Sequence, residues 1–418
     1  MSCIDIILKF SILYYIVYTF NIVYLLLNRS HKNKNYLNIK KSINNKYSLW
    51  IIIPALNEET VIKNTVNSLQ HELHKLCKIN NISANILVVD DCSDDQTFYE
   101  ARKTSAYVIQ TPQNNKHCGK GAVLNHGINF INSICDHKVN NIIGVIDADG
   151  VMKYKDFYNI IALYDDNKNK YDMIQSAVKM FNTKNIVEKA QDFEFGGLNR
   201  KSQISRNNYG DGIASGNGQF VTLKMALDVK WGNSLLEDME FTLNGLLKGY
   251  HCYFTEDSVV QQQAVKSIKK YIKQRVRWCT GGIQCSHFLF ALYKSKNVKL
   301  LQKIALTINA LTPLAFIFIN FSNLISLIIQ VRLFIMNPQS NYSFFTLLLI
   351  WLLLDLGISN SYRLFINKTN NKKIQLIEAF YFSISFSIIN LITFFIPIIS
   401  IKNILSNNLE WDKTDHST

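Results

Sequence analysis

The sequence predicts an α/β domain flanked by membrane helices, with one helix before it and about three after it. Short β-branched runs at 50–53, 86–89 and 142–146 have the length and composition of buried parallel strands. Residues 58–78 repeat apolar side chains at helical spacing between the first two runs. Long apolar segments occupy the N-terminus and the last third of the chain. This pattern predicts a β-α-β-α-β layer in the middle and membrane segments at both ends.

The composition is that of a chain with a soluble part and a membrane part. Of 418 residues, 48% are hydrophobic and 18% are charged, which is more apolar than an average soluble protein. The net charge is +14, and many cations flank the apolar segments, at 29–46 and at 368–373. Such flanks are typical of cytoplasmic loops. We therefore attribute the excess charge to membrane lipids and expect no nucleic-acid partner.

The apolar segments also define the expected organisation. The expected parts are a transmembrane anchor at 1–28, a basic cytoplasmic linker at 29–47, an α/β domain ending in interfacial helices at 48–300, membrane helices within 301–400 and a tail at 401–418. The later spans are expected at about 304–330, 343–362 and 377–400. Pro397 lies inside the last span, where a membrane helix tolerates it.

The first span is interpreted as a retained anchor rather than a signal peptide. Asp5 stands where a basic n-region would be, and no small-residue cleavage site follows. The basic flanks place residues 28–303 and 363–375 in the cytoplasm and both termini outside. The eight cysteines are scattered without a C-x-x-C pair, as in a reducing compartment. We expect an integral protein of a bacterial cytoplasmic membrane with a cytoplasmic α/β domain.

Two acidic groups follow predicted strands. Asp147 and Asp149 come directly after the third strand, where open α/β sheets bind their ligands. Hard divalent cations prefer such oxygen ligands, although two acids can also form a plain turn. Asp90 and Asp91 end the second strand and could bind a base or ribose, while the acids after them suit a helix N-cap. The chain has no G-x-G-x-x-G and no P-loop lysine, so neither a dinucleotide nor ATP is indicated.

Two later motifs allow both a catalytic and a structural interpretation. Glu237 and Asp238 begin a predicted helix, where acids are stabilised by the helix dipole. A carboxylate there could equally take a proton from an acceptor hydroxyl. Residues 274–278, Gln-Arg-Val-Arg-Trp, end a basic stretch that is typical of a helix at a membrane surface. The alternative is that Trp278 supports an acceptor sugar and the arginine binds a diphosphate.

Together and in order, these residues resemble family-2 glycosyltransferases of the cellulose, hyaluronan and poly-N-acetylglucosamine synthase type. The resemblance covers about residues 50–285, and the flanking apolar segments fit the same group. Its motifs are Ile53-Pro54-Ala55-Leu56-Asn57-Glu58-Glu59, Val89-Asp90-Asp91-Cys92-Ser93-Asp94-Asp95, Gly119-Lys120-Gly121-Ala122-Val123-Leu124-Asn125, Asp147-Ala148-Asp149, Ser215-Gly216-Asn217-Gly218-Gln219-Phe220, Glu237-Asp238 and Gln274-Arg275-Val276-Arg277-Trp278. Two departures are Leu236, where the family usually has Thr, and Cys92, where it usually has Gly.

The resemblance implies a GT-A fold and a metal-dependent transfer from a UDP-sugar that inverts the anomeric carbon. It implies that Asp238 is the catalytic base and that Asp91 contacts the uridine. Asp147 and Asp149 would bind the complex of UDP with Mg²⁺ or Mn²⁺. The implied substrate-binding residues are Pro54, Asn57, Glu58, Asp90, Asp91, Lys120, Asp147, Glu237, Gln274, Arg277 and Trp278.

The resemblance leaves two acceptors open. A processive synthase would extend a polysaccharide, as the Q-x-x-R-W motif favours, and an accessory membrane subunit could then complete the channel. A single-transfer enzyme would instead glycosylate a lipid or lipid-linked acceptor. A non-catalytic membrane scaffold would be expected to have lost its carboxylates first, and all of them are present.

Overall fold

The structure is a computed structural model with a mixed β-sheet at its centre. It describes residues 3–28, 43–79, 81–112, 117–166, 171–308, 342–369 and 373–406, together with isolated positions between 310 and 336. The strands in these ranges are β1 (Tyr47–Ala55), β2 (Ile82–Asp90), β3 (Tyr107–Gln110), β4 (Asn140–Val145), β5 (Met173–Met180), β6 (Gln219–Thr222) and β7 (Cys252–Gln262). They form one sheet in the order β3-β2-β1-β4-β6-β5-β7.

The helices alternate with these strands and then follow them. Those with defined bounds are α1 (Cys3–Leu27), α2 (Ile62–Leu76), α3 (Thr97–Arg102), α4 (Lys120–Ile134), α5 (Tyr154–Asp166), α6 (Ile186–Phe193), α7 (Arg200–Arg206), α8 (Leu223–Val229), α9 (Glu237–Leu247), α10 (Ile268–Gln284), α11 (Phe288–Lys294), α12 (Tyr342–Thr369), α13 (Leu376–Ile392) and α14 (Ile396–Leu405). A π-helix at Glu194–Asn199 joins α6 directly to α7. The three predicted strands and the helix after the first of them are confirmed.

Both faces of the sheet are buried, which explains why β1, β2 and β4 contain continuous apolar runs. Along β1, Leu49, Ile51 and Ile53 pack on one face in a cluster that includes α2 and α5. Trp50 and Ile52 pack on the other face, against α4, α8 and α9. Side chains alternate between the faces because a strand has a period of two residues. The α/β layer predicted from the sequence is therefore a three-layer sandwich.

The register of the sheet brings the polar motifs to one edge. The ends of β1 and β2 are paired at Ala55 and Asp90, and β4 ends beside β1. Strand β6 runs antiparallel to β4, so its first residue, Gln219, pairs with Val145. The loop before β6 thus reaches the same edge as the segments that follow β2 and β4. Strands β3, β5, β6 and β7 were not among the three predicted strands, and the antiparallel direction of β6 departs from the predicted parallel pattern.

The apolar segments are helical where the structure describes them, apart from a break at 393–395. Helix α1 matches the predicted first span, and α12 matches the span predicted at 343–362. By length and composition, Leu348–Thr369 within α12 is able to cross a membrane, and α13 and α14 form a bent pair that could make a second span among the described residues. Most of the span predicted at 304–330 lies outside the described residues. The number of membrane crossings therefore stays a prediction.

The span predicted at 377–400 is not one straight helix. It divides into α13 and α14, whose axes differ by 46°. Pro397 lies in the first turn of α14. Its ring has no N–H to donate to Thr393 and would clash with that carbonyl in a continuous helix. The chain accordingly leaves the helix at Thr393 and starts again at Ile396.

The last helices pack against the α/β sandwich. A third core cluster joins Ile22 and Leu25 of α1 to Phe193, and includes Tyr362 of α12 and Phe382 of α13. The Tyr362 hydroxyl donates a hydrogen bond of 2.6 Å to buried Asp192 of α6. The sandwich and the long helices are thus joined by both apolar packing and a buried polar contact.

Candidate active site

A cavity of about 690 Å³ opens at the edge of the sheet where the motifs meet. Most of the residues predicted to bind substrate line its wall, and they are Pro54, Glu58, Asp91, Lys120, Asp147, Asp149, Glu237, Asp238, Gln274, Arg277 and Trp278. Asn57, which is exposed, and Asp90, which is buried, do not line it. Asn57 accepts a hydrogen bond from the Asp94 amide at 2.9 Å, and Asp90 accepts one from the Gln110 side chain at 2.8 Å. These two side chains support the loops around the cavity.

Asp91 lines the cavity. It is 1% exposed, and its Oδ1 accepts hydrogen bonds from the Thr111 hydroxyl at 2.9 Å and from the Cys118 thiol at 3.3 Å. Its Oδ2 is buried without a hydrogen-bond partner in the described part of the chain. An unpaired buried carboxylate oxygen is costly, so this atom is well suited to accept a hydrogen bond from a ligand. The acids after Asp91 include one with the structural role that the sequence also allowed. Asp95 accepts a hydrogen bond from the backbone amide of Thr97, the first residue of α3.

Lys120 begins α4 and lies at the centre of a charge network. Its Nζ donates to Asp147 Oδ1 at 2.6 Å and to the Gly216 carbonyl at 2.9 Å, and it is 3.8 Å from Glu237. Burial alone would lower the pKa of Lys120, but the carboxylates of Asp147 and Glu237 outweigh it and hold this pKa above its ordinary value. The ammonium therefore stays charged in the wall of the cavity.

Asp147 and Asp149 offer two carboxylate ligands for a metal ion, which are too few to complete its coordination. Asp149 Oδ2 accepts the Gln263 amide at 2.8 Å, and the Asp147 amide donates to Asn217 at 3.2 Å, so the loop after β4 is fixed from two sides. Within the described residues, no group of three or more His, Cys, Asp or Glu side chains could hold a metal ion. Two carboxylates do suit a hard divalent cation that takes its remaining ligands from phosphate and water.

Glu237 and Asp238 are the first residues of α9, and both are 8% exposed. Burial, reinforced by the neighbouring Glu237 carboxylate, raises the pKa of Asp238 to about 7, and Lys120 only partly opposes this. Burial also raises the pKa of Glu237. A Cβ added at Gly216, whose φ is +72°, would lie 3.3 Å from both Asp238 Oδ2 and Lys120 Nζ. The loop before β6 therefore closes tightly over these two groups.

The residues of the Gln-Arg-Val-Arg-Trp motif enter the cavity from α10. Gln274, Arg277 and Trp278 line the wall, and the Trp278 ring packs edge-on against Phe195 with centroids 5.8 Å apart. Arg277 contributes a favourable charge interaction to Glu237. This motif and the Glu237–Asp238 pair are 36 residues or more apart in the sequence, and the fold brings them into one wall.

Several parts of the wall were missing from the sequence interpretation, among them the following two. Glu194 and Phe195 come from the π-helix, and Ile22 and Leu25 come from α1. Neither segment carries a motif that predicts a site, because a π-helix has no distinct sequence pattern and α1 looks like an ordinary membrane span. Only the packing of α1 against α7 and α12, and of the π-helix against β5, reveals their place.

The comparisons with known proteins agree with this geometry. The sequence model of glycosyl transferase family group 2 matches residues 142–407, and that of glycosyl transferase family 2 matches residues 50–221. The first match covers more than half of the chain. Together the two matches include every motif that lines the cavity.

Two curated relatives are similar over part of their length. The chain is 26% identical over 268 residues to the probable glycosyltransferase YdaM of Bacillus subtilis (strain 168), which covers 60% of this chain and 59% of that protein. It is 31% identical over 128 residues to the dolichyl-phosphate beta-glucosyltransferase ALG5D of Trichomonas vaginalis, which covers 28% of this chain and 35% of that protein. The chain thus spans less than two thirds of either relative.

A solved structure is similar along almost the whole chain. The mannosyltransferase PcManGT from Pyrobaculum calidifontis, in complex with GDP-Man and Mn²⁺, superimposes with a TM-score of 0.54 at 15% identity, covering 93% of this chain and 97% of that chain. At this identity the likeness concerns the fold alone, and it agrees with a GT-A-like α/β architecture. On the match that covers more than half of its length, the chain belongs to glycosyl transferase family group 2 and is a glycosyltransferase.

Proposed function

We propose that this glycosyltransferase moves a hexose or N-acetylhexosamine from a UDP-sugar to a growing polysaccharide at a membrane, with inversion and with a divalent metal. The observation that carries the proposal is the shared cavity. In it the Asp147–Asp149 pair and the buried Asp238, with a pKa of about 7, lie in one wall with the Gln274–Trp278 motif. A donor diphosphate and an acceptor hydroxyl could meet there.

The donor would lie between Asp91 and Lys120. The buried Oδ2 of Asp91 can accept a hydrogen bond from a base N–H, as a uracil ring offers. The ammonium of Lys120 and the guanidinium of Arg277 supply positive charge beside the cavity for phosphate oxygens. The solved neighbour that contains GDP-Man and Mn²⁺ supports a nucleotide-sugar donor.

A divalent ion, Mg²⁺ or Mn²⁺, would be held by Asp147 and Asp149 and would supply charge neutralisation for the departing diphosphate. The chain's own residues perform the proton transfer. Asp238 accepts the proton of the acceptor hydroxyl while that oxygen bonds to the anomeric carbon and the bond to the diphosphate breaks. The diphosphate leaves with the electron pair, and a single displacement inverts the carbon. A carboxylate with a pKa near 7 is suited to this role.

A second candidate is transfer of one sugar to a lipid or lipid-linked acceptor. It is favoured by α1, because Ile22 and Leu25 of this long apolar helix line the same cavity as Asp238. The curated relative named as a dolichyl-phosphate beta-glucosyltransferase also supports it. Under both proposals the enzyme is an integral membrane protein whose catalytic domain faces the cytoplasm, and an accessory membrane subunit could complete a polymer channel.

One assay separates the two acceptors. The purified protein in detergent is given radiolabelled UDP-glucose or UDP-N-acetylglucosamine with Mg²⁺ or Mn²⁺, a membrane lipid extract and short oligosaccharides. A long polymer supports polysaccharide synthesis, and one lipid-soluble product supports transfer to a lipid. If neither transfer nor UDP release occurs, or if Asp238→Asn behaves like the wild type, the proposal is wrong.

The metal role has its own test. We expect Asp149→Asn to raise the Mn²⁺ concentration for half-maximal transfer by about tenfold, because one of two carboxylate ligands is lost. Asp136→Asn removes the same charge from an exposed turn and is the matched control. An unchanged Mn²⁺ dependence in Asp149→Asn would contradict the assignment.

A further inference from the structure

Arg275 lies inside the motif on α10 but is absent from the cavity wall that its neighbours line. Its side chain is buried, with 9% exposed, while Gln274, Arg277 and Trp278 reach the cavity. A guanidinium is expensive to bury, and it is retained only where its surroundings compensate the charge. The contacts of Arg275 show which cavity residues provide that compensation.

Two aromatic rings of the same helix lie against the guanidinium. Its Cζ is 4.4 Å from the centroid of the Tyr271 ring and 4.1 Å from that of Trp278. These residues are four positions before and three after Arg275, so all three share one helical face. A cation held against an aromatic ring away from water is a strong contact, and a planar guanidinium also restricts the plane of that ring. Phe195 holds the Trp278 ring from a second direction.

The edges of the guanidinium bind two further residues of the wall. Its NH1 donates to Gln274 Oε1 at 3.0 Å, and its NH2 forms an ion pair with Glu194 of the π-helix. A guanidinium has donors and no acceptor, so Gln274 must present its carbonyl to Arg275. The amide N–H donors of Gln274 are then available for a ligand oxygen. The ion pair also neutralises the charge of Glu194, which itself lines the cavity.

We propose that Arg275 is a positioning residue for the acceptor side of the cavity, acting through Trp278, Gln274 and Glu194. The inference rests on the proposed function, since it assigns the Gln274–Trp278 motif to substrate binding. Lysine cannot replace this arginine, because an ammonium has no plane to lie against Trp278 and cannot bind Gln274 and Glu194 at fixed angles. Arg275 thus sets the acceptor geometry, while Asp91, Asp147 and Asp149 bind the donor on the other side.

The test compares Arg275→Lys with Lys269→Met, which removes an exposed charge from the same helix. Sugar transfer by Arg275→Lys should fall by about tenfold or more, while its affinity for UDP with Mn²⁺ stays within about threefold of the wild type. Acrylamide quenching of Trp278 fluorescence, taken as the difference from the matching Trp278→Phe protein, should increase. The control should leave all three measurements unchanged.

A second variant guards against misfolding. Glu194→Gln removes the ion pair without altering α10, and it should reproduce the loss of transfer with UDP affinity retained. The inference is overturned if Arg275→Lys keeps wild-type transfer, if its Trp278 quenching is unchanged, or if UDP affinity falls in parallel with transfer. A wild-type protein that neither binds UDP nor transfers sugar refutes the proposed function instead, and the quenching comparison still decides whether Arg275 positions Trp278.

Discussion

At the scale of single residues, the site depends on three charges that are buried together. Glu237 and Asp238 are adjacent carboxylates at the start of α9, and Lys120 is the cation nearest to both. One ammonium cannot compensate two buried carboxylates and Asp147 as well. Burial and the charge of Glu237 therefore raise the pKa of Asp238 to about 7, where a carboxyl group can both hold and release a proton at neutral pH.

Replacing Asp238 by Asn should abolish transfer and stabilise the protein. The folded pKa of about 7 lies above the ordinary value of 3.8, so the folded state binds this proton more tightly than the unfolded state does. Ionisation of Asp238 consequently lowers stability as the pH rises from about 4 to 7, and the loss is complete above 7. We expect a gain of about 2 kcal/mol for Asp238→Asn at pH 8 and a smaller gain at pH 5. Thermal unfolding in detergent at both pH values measures this, and a lower Tm at pH 8 would contradict it.

The rate of transfer should depend on pH through the same carboxyl group. Asp238 is the proposed base and would have to be ionised to accept a proton, so kcat/KM should fall about tenfold per pH unit below 7 and level off above it. Glu237 raises the pKa of Asp238 by charge repulsion. Glu237→Gln should therefore shift the acidic limb of the pH profile, which is the fall in kcat/KM below pH 7, to lower pH. A limb that does not move in this variant would show that another group controls the rate.

At the scale of secondary-structure elements, the position of α4 determines where Lys120 lies. Gly121 packs against the loop before α9, and a Cβ at this position would lie 2.1 Å from the Gly232 carbonyl oxygen. The positions of the added Cβ and of the Gly232 carbonyl oxygen are both set by the backbone, so a change of side-chain rotamer cannot separate them. The close approach of α4 to this loop keeps Lys120 within reach of both Asp147 and Glu237.

Gly121→Ala should therefore impair both folding and activity. The overlap must push α4 away from residue 232, at a cost of about 2–3 kcal/mol. We expect a lower Tm and a loss of transfer that exceeds the loss of folded protein, because Lys120 moves with the helix. Ser133→Ala at the exposed end of α4 is the control. Wild-type Tm in Gly121→Ala would mean that the loop yields without strain.

At the scale of the whole molecule, the α/β sandwich and the long helices are linked by buried polar contacts. Burial raises the pKa of Asp192, and the Tyr362 hydroxyl and the Met180 amide, which donates at 2.8 Å, partly offset this. Arg200, at the start of α7, pairs with Glu256 and donates to the Ser361 hydroxyl at 2.7 Å. These contacts fix α12 against the elements that also form the cavity wall.

Removing one of these buried polar contacts should destabilise the packing of α12 against the α/β sandwich. Tyr362→Phe keeps the ring but leaves the buried Asp192 carboxylate with one donor fewer, which should cost about 1–3 kcal/mol. Tyr381→Phe makes the same chemical change on a ring of α13 that is 50% exposed, and it should leave the Tm unchanged. Thermal unfolding of the two variants in the same detergent provides the comparison. Equal Tm values would indicate that Asp192 finds another partner.

The sequence was sufficient to predict the α/β layer and the edge of the sheet at which the carboxylates of the site lie. β-branched runs such as Ile51–Ile53 specify strands buried on both faces, and the acids after such strands must lie at the edge where parallel strands end. Asp147, Asp149 and Asp91 could therefore be placed from local pattern alone. The antiparallel β6 could not, because four residues after a glycine-rich loop carry too weak a pattern to fix strand direction.

Local pattern determined strands β1, β2 and β4, helices such as α2, and the chemical groups of this protein, because these depend on side-chain periodicity and on residues that are neighbours in the sequence. Tertiary structure alone decided which groups share a cavity and what their charges become. The pKa of Asp238 depends on burial and on Lys120, which is 118 positions away in the sequence. The orientation of Trp278 likewise depends on Arg275 and, through it, on Glu194 of a π-helix. Desolvation and charge interactions act through space, so they become defined only when the chain has folded.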